Sequence, residues 1–158
     1  MVTYTNFNKV VSDKYGLLAH GLAFYNDKVT IPAGTIAGSR FRAFRFKEGF
    51  TLTDFTILTD DLDTGTAVTI SVGYVYDAGQ TDNNDVALVD DEDYFIDNNT
   101  SIGQAEASFA YPSNSSSQNV GKYFTAEGSG YIVVEITGGP TTTAGTIEVG
   151  IGYTYNKG

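Results

Sequence analysis

Apolar and polar residues alternate with period two through two long runs that end alike, Gly73-Tyr74-Val75-Tyr76-Asp77 and Gly152-Tyr153-Thr154-Tyr155-Asn156. In the first, Ile70, Val72, Tyr74 and Tyr76 fall on one face, and Thr69, Ser71, Gly73 and Val75 on the other. In the second, Ile147, Val149, Ile151, Tyr153 and Tyr155 oppose Thr146, Glu148, Gly150, Gly152 and Thr154. Successive side chains of a strand point to opposite faces, so the pattern predicts two half-buried strands with their tyrosines in core and sheet packing. Gly73, Gly150 and Gly152 sit on the faces away from the tyrosines, and a glycine inside a strand marks close approach of another backbone or of an aromatic ring. The two runs are either neighbours in one sheet or occupy corresponding places in two half-motifs. Their flanking segments do not match, which argues against a tandem repeat.

The remaining pattern is also strand-like. Short apolar pieces at 22–25 and 29–31 precede a Pro32-Ala33-Gly34 turn, and a strand follows over 35–46. Its alternation slips, because Phe41 and Ala43 share one face while Phe44 and Phe46 share the other, so a bulge is predicted near Ala43. The segment 50–58 alternates with Phe50, Leu52 and either Phe55 or Thr56 inward, and Asp60-Asp61-Leu62-Asp63-Thr64-Gly65 turns the chain into a strand over 67–76. The acidic stretch 77–104 is long for a structureless loop in a compact domain and predicts short strands within it. Further strands are predicted at 105–111, 120–124, 130–136 and 145–155, with 112–118 a flexible exposed loop and Gly138-Gly139-Pro140-Thr141 joining the last two. The expectation is one all-β domain over 1–158, a two-sheet β-sandwich of about 8–10 strands with little or no helix. A jelly-roll connection is preferred over a closed barrel. Residues 1–20 read either as one helical turn or as an N-terminal arm that packs on a neighbour.

Composition narrows the picture. A chain of 158 residues buries enough surface to fold without staples, and it has no cysteine, which removes disulfides, thiolate metal sites and thiol nucleophiles together. With 11 Tyr, 10 Phe and no Trp, the apolar mass is largely aromatic, which suits strands. The formal charge of −10 opposes phosphate binding, so no nucleic-acid partner is expected. No apolar run approaches the ~20 residues of a membrane helix, and residues 1–10 lack the basic and apolar regions of a signal peptide, so no membrane partner and synthesis in the cytoplasm are expected.

Two charge poles stand out. Arg40, Arg42, Arg45 and Lys47 are four of the nine basic residues, and eleven of the nineteen acidic residues fall between Asp60 and Asp97, most densely at Asp90, Asp91, Glu92 and Asp93. A subunit with both poles can join copies of itself head to tail around a ring; the alternative is a sheet face with ion pairs inside one chain. Asp, Asn and Glu at 82–85 and 90–97 are oxygen donors of the kind calcium takes, yet the EF-hand order is missing, and the run reads as a solvated negative edge with no metal or cofactor assigned. His20 is the only histidine, and no Gly-x-Ser-x-Gly elbow or comparable nucleophile motif accompanies it, so no catalytic residue and no enzyme activity are expected. A fibre-tip or lectin-like module would present exposed Tyr and the Asp or Asn of loops such as 77–85 or 112–119 to a surface glycan.

The segments Val29-Thr30-Ile31-Pro32-Ala33-Gly34-Thr35, Val72-Gly73-Tyr74-Val75-Tyr76-Asp77, Gly130-Tyr131-Ile132-Val133-Val134-Glu135-Ile136-Thr137 and Thr142-Thr143-Ala144-Gly145-Thr146-Ile147-Glu148-Val149 resemble the strands of small structural proteins from tailed bacteriophages. The resemblance leaves the acidic middle and the N-terminal segment unmatched. It implies a capsid decoration or cement protein, a β-sandwich or jelly-roll trimer seated on the virion exterior where capsomers meet, with the major capsid protein and further copies of itself as partners. Assembly would take place in the host cytoplasm. The family has no catalytic residues to carry over.

Overall fold

A computed structural model describes residues 3–4, 23–105, 107–111 and 124–155, with side chains from 24–105 and 124–155. Ten strands are present and no helix occurs among the described residues: β1 Thr3–Tyr4, β2 Ala23–Ile31, β3 Ser39–Phe46, β4 Phe50–Thr59, β5 Ile70–Tyr76, β6 Asp91–Asn99, β7 Ala107–Tyr111, β8 Phe124–Thr125, β9 Gly130–Ile136 and β10 Gly145–Tyr155. One sheet, here sheet A, runs β1-β3-β9-β5-β6, and the other, sheet B, runs β2-β10-β4-β7 with β8 also on β4. Without the two-residue strands β1 and β8, the first remaining strand pairs with the last and the second with the next to last. This nested order, in two four-stranded antiparallel sheets, is that of a jelly roll.

The core lies between the sheets and is filled by alternate residues of both, with Phe41, Phe44, Phe46, Phe50, Phe55 and Phe95 its largest fully buried side chains. The two look-alike runs became β5 and β10. Each lies between two partners, β5 between β9 and β6 and β10 between β2 and β4, so both are inner strands, in opposite sheets, and they are not neighbours. Tyr153 is buried, and Tyr74, Tyr76 and Tyr155 pack half-buried against the core.

The predicted slip in β3 is present as a register shift between Arg42 and Phe44 opposite β9, with both Ala43 and Phe44 buried. In β4 it is Phe55 that turns inward, because Thr53 is an extra residue between Leu52, which pairs with Tyr153, and Asp54, which pairs with Gly152.

Several boundaries move. The two apolar pieces around 22–31 are one nine-residue strand, since β10 pairs with β2 throughout its length. Its polar middle reflects its place at a sheet edge, where Asn26 and Lys28 face water and Asp27 accepts from Tyr25 Oη at 3.0 Å. β3 begins at Ser39 rather than 35, because Gly34 and Gly38 adopt φ of 80° and 83° in the preceding turns. β5 begins at Ile70, because the Asp63 carboxylate bends 63–68 into a turn by accepting from Ala67 N at 2.7 Å and from Thr142 Oγ1 at 3.0 Å. The acidic stretch contains one nine-residue strand, β6, together with a small bridge between Thr81 and Ala87. Residues 1–2 and 5–20 of the predicted arm, including His20, lie outside the described residues, as do the loop 112–118 and residues 120–123; Thr3–Tyr4 pairs in parallel with Arg40 and Phe41 of its own chain.

Candidate functional site

The outer face of sheet A collects the charged residues. Bulging at Ala43 returns Arg45 to the face that Arg40 and Arg42 already occupy, so the three arginines line one side of β3 with Lys47 just beyond its end. Opposite them on β9 stand Glu135 and Tyr131, the register partners of Arg40 and Arg45.

β6 brings the acidic pole to this same face. Between Val72 and Tyr74, two residues apart on β5, the partners on β6 run from Ile96 to Asp91, five residues apart. The surplus chain folds over the sheet. A Cβ built on Gly73 would lie 2.0 Å from the carbonyl oxygen of Asp91 and 2.7 Å from Glu92 Cα, so the backbone of β6 rests on the glycine itself. The cover extends to its neighbours: Ser71 is 2% exposed and accepts from Asn98 N at 2.9 Å, and Val133 is 1% exposed although it faces away from the core cluster. The glycine face thus marks a backbone approach at Gly73 and a ring approach at Gly152, where Phe24 Cε1 lies 3.1 Å from the position of a Cβ; at Gly150 the nearest atom is 3.8 Å away.

The two poles therefore meet inside one chain. Arg40 donates Nε to Glu135 at 3.0 Å and Nη2 to Glu92, joining β3, β9 and β6. Arg45 pairs with Asp77 at 2.8 Å and donates to the Tyr131 hydroxyl, and its guanidinium lies 4.9 Å from the Tyr131 ring centre. Arg42 lies over the same ring at 4.5 Å. Among the predicted site residues, Asp90 accepts from Tyr76 N at 2.8 Å, and Asp91 and Asp93 hydrogen-bond to each other. The sequence reading missed Glu92, Glu135, Asp77 and Tyr131 as the partners of the arginines. The outward alternation of Tyr131 and Glu135 along β9 was the signal that would have offered two of them.

Electrostatics on this face are set first by loss of water. Burial raises the pKa of Asp91 to about 6, and the neighbouring Asp93 carboxylate adds to the rise. Burial also raises Glu92, and its hydrogen bond with Glu135 together outweighs the attraction of Arg40. Asp91 thus holds its proton more tightly in the folded chain than its ordinary value of 3.8. Its contribution to stability is complete below that value and is lost as pH rises toward about 6. Asp91→Asn is expected to raise the unfolding midpoint at about pH 7.5 and to leave it nearly unchanged at about pH 3.5. Denaturation at the two pH values checks this, and a gain of equal size at both would contradict it.

A second concave region lies at one end of the sandwich, a polar cleft of about 840 Å³. The β3–β4 turn (Lys47, Glu48), the turn at 82–84 and the β8–β9 turn (Glu127, Ser129) surround it, with Tyr155 in the wall. Asp82 fixes its turn by accepting from Asn84 N at 2.8 Å and Val86 N at 2.9 Å, bonds that lower its pKa. Gly49 N donates to Ala126 O at 2.9 Å and Asp77 N to Ser129 O at 2.8 Å, which holds the surrounding turns together.

No protein-family model and no curated protein matches the sequence. The fold has counterparts among solved structures. A chain in the capsid of Ralstonia phage GP4 superposes with a TM-score of 0.69 at 16% identity, covering 99% of this chain and 100% of that one. A chain in the capsid asymmetric unit of cyanophage Pam1 gives 0.60 at 17% identity, covering 86% of this chain and 85% of that one. At these identities the likeness is one of fold.

Proposed function

We propose that the chain is a non-enzymatic structural protein of a phage virion, bound to the outer capsid surface as a decoration or cement protein. The observation that carries this reading is the nearly end-to-end likeness to a chain of the GP4 capsid, at 99% and 100% coverage, with a second counterpart in the Pam1 capsid. The physical character of the chain agrees with it. A net charge of −10 keeps copies soluble and away from nucleic acid, and a repeated lattice adds weak single contacts by multivalency. The outer face of sheet A, acidic at Asp90, Asp91 and Asp93 and basic at Arg42 and Lys47, is the surface we offer to the major capsid protein.

Purified chain is expected to cosediment saturably with expanded capsids of its own phage, at hundreds of copies per particle by mass spectrometry of intact virions. Absence from the pellet together with absence from the virion would sink the proposal.

A glycan-binding module is the second reading, and one observation favours it. Asp82, Asn83 and Asn84 of the 77–85 loop line the same cleft as Tyr155, a combination of hydrogen-bonding groups and an aromatic side chain suited to a sugar. Glycan-array binding that Tyr155→Ala abolishes is the result that would prefer it.

A further inference from the structure

The outer face of sheet B carries a pattern independent of the proposal above. Here β10 lies between β2 and β4, and the registers place Phe24 beside Gly152 and Gly152 beside Asp54. Four residues along, Lys28 lies beside Glu148 and Glu148 beside Leu58. Gly150 is at the centre. From ordinary strand spacings the four corners form a rectangle of roughly 10 by 14 Å. Phe24 and Leu58 occupy one diagonal and Lys28 and Asp54 the other.

The corners are open. Phe24 is 70% and Leu58 43% exposed, both far above the rest of the apolar side chains in these strands, and a trench of about 340 Å³ runs over Gly150 and Gly152 between them. Lys28 and Asp54 are exposed, and neither makes an ion pair among the described residues.

We propose that this face packs on the same face of a second copy, about a two-fold axis lying along the Phe24 to Leu58 diagonal. The choice of occupant and of axis follows from charge complementarity. An isologous contact sets each residue against a symmetry-related one, so only self-complementary patterns are tolerated. An axis along β10 would set Phe24 on the partner's Asp54 and Lys28 on the partner's Leu58. An axis across the strands would set Phe24 on the partner's Lys28 and Leu58 on the partner's Asp54. The other diagonal would oppose lysine to lysine and aspartate to aspartate. The Phe24 to Leu58 diagonal alone sets each apolar corner on its own copy and carries each Lys28 to within about 6 Å, in projection, of the partner's Asp54, inside the reach of a lysine side chain. Glu148, the third charge within the rectangle, accepts from Asn26 Nδ2 of its own chain at 2.5 Å and comes to about 8 Å from its own copy, which weakens the contact. The trench over the glycines lets the two backbones approach. Because the rectangle is small beside the roughly 800 Å² per partner of a stable interface, the contact is weak in solution and gains strength where copies are held close together.

Charge exchange tests the symmetry directly. Sedimentation equilibrium of the full chain, at concentrations up to about 1 mM, is expected to show a monomer–dimer equilibrium. Lys28→Asp alone and Asp54→Lys alone each place like charges together twice, and each is expected to weaken dimerisation by ~tenfold or more. An equimolar mixture of the two single variants restores both opposite-charge pairs and is expected to dimerise like the original chain, as is the double variant Lys28→Asp/Asp54→Lys. Recovery in the mixture also shows that neither single variant has unfolded. With no native cysteine in the chain, Leu58→Cys on the axis is expected to cross-link into a dimer on mild oxidation, and Thr30→Cys on the same face is not. A monomer at every concentration, a trimer as the phage resemblance implies, or single variants that associate like the original chain would each overturn the proposal.

Discussion

Replacing Gly73 with alanine is expected to lower the free energy of unfolding by ~3 kcal/mol or more, the upper end of what overpacking costs. Alanine is otherwise the better strand residue by intrinsic propensity, so a loss of this size has to come from the site. The new methyl group would meet the carbonyl oxygen of Asp91 at 2.0 Å and the carbonyl carbon of Glu92 at 2.4 Å, and both are backbone atoms that no rotamer change can clear. β6 must lift, which takes the cover from Ser71 and Val133 and separates Glu92 from Arg40.

Gly150 provides the control within the same molecule. Its nearest neighbours to an added Cβ are at 3.8 and 3.9 Å, ordinary contacts, so Gly150→Ala is expected to be neutral or to stabilise by up to ~1 kcal/mol through the loss of unfolded-state freedom. Urea denaturation of both variants reads the difference, and hydrogen exchange of the β6 amides reads its location. A Gly73→Ala variant within ~1 kcal/mol of the original chain would show that the fold-over of β6 yields at little cost.

The two glycines also illustrate what was legible in the sequence. Alternation found β9 and β10 at their true limits, 130–136 and 145–155, because each lies between two partner strands and its faces differ sharply in polarity. It located the bulge at Ala43, since a slip in register must show as two adjacent inward residues. It failed where the two-face rule itself fails. β2 is a sheet edge whose middle faces water, so its apolar signal breaks in two. β6 combines an acidic start with surplus residues folded onto the outer face of β5, and no period survives there. The charged face was half legible for a related reason. The arginines are close together in sequence and announced themselves, whereas Glu135 and Glu92 reach Arg40 across 95 and 52 residues of chain, a closeness created by the nested strand order. From the linear chain both head-to-tail pairing of the poles and ion pairs within one chain were open; the fold sets Arg40 against Glu135 and Glu92, and Arg45 against Asp77, of the same subunit.

Phe124→Ala is expected to destabilise the chain by ~3–5 kcal/mol. Phe124 belongs to a two-residue strand that pairs, among the described residues, with β4 alone, so that pairing contributes little to its position. Its side chain is nevertheless 4% exposed and joins rings from three strands of the opposite sheet. Tyr74 stacks on it at 4.5 Å, and Phe46, Phe95 and Tyr94 meet it edge-on at 5.5, 5.7 and 5.8 Å. Tyr74 loses enough water in this packing that its pKa rises, burial being the main cause. Removing the ring leaves a cavity bounded by four other rings whose backbones are fixed in β3, β5 and β6, so collapse can recover little of it. Phe124→Leu fills part of the space and is expected to cost ~1.5 kcal/mol or less. For a chain of this size the alanine variant should melt roughly 10 °C or more below the original. A double-mutant cycle separates ring stacking from simple volume: Phe124→Leu and Tyr74→Leu are expected to couple by ~0.5–1.5 kcal/mol, while Phe124→Leu and Ile31→Val are expected to add. Additive losses in the first pair would mean that the aromatic cluster acts through buried area alone.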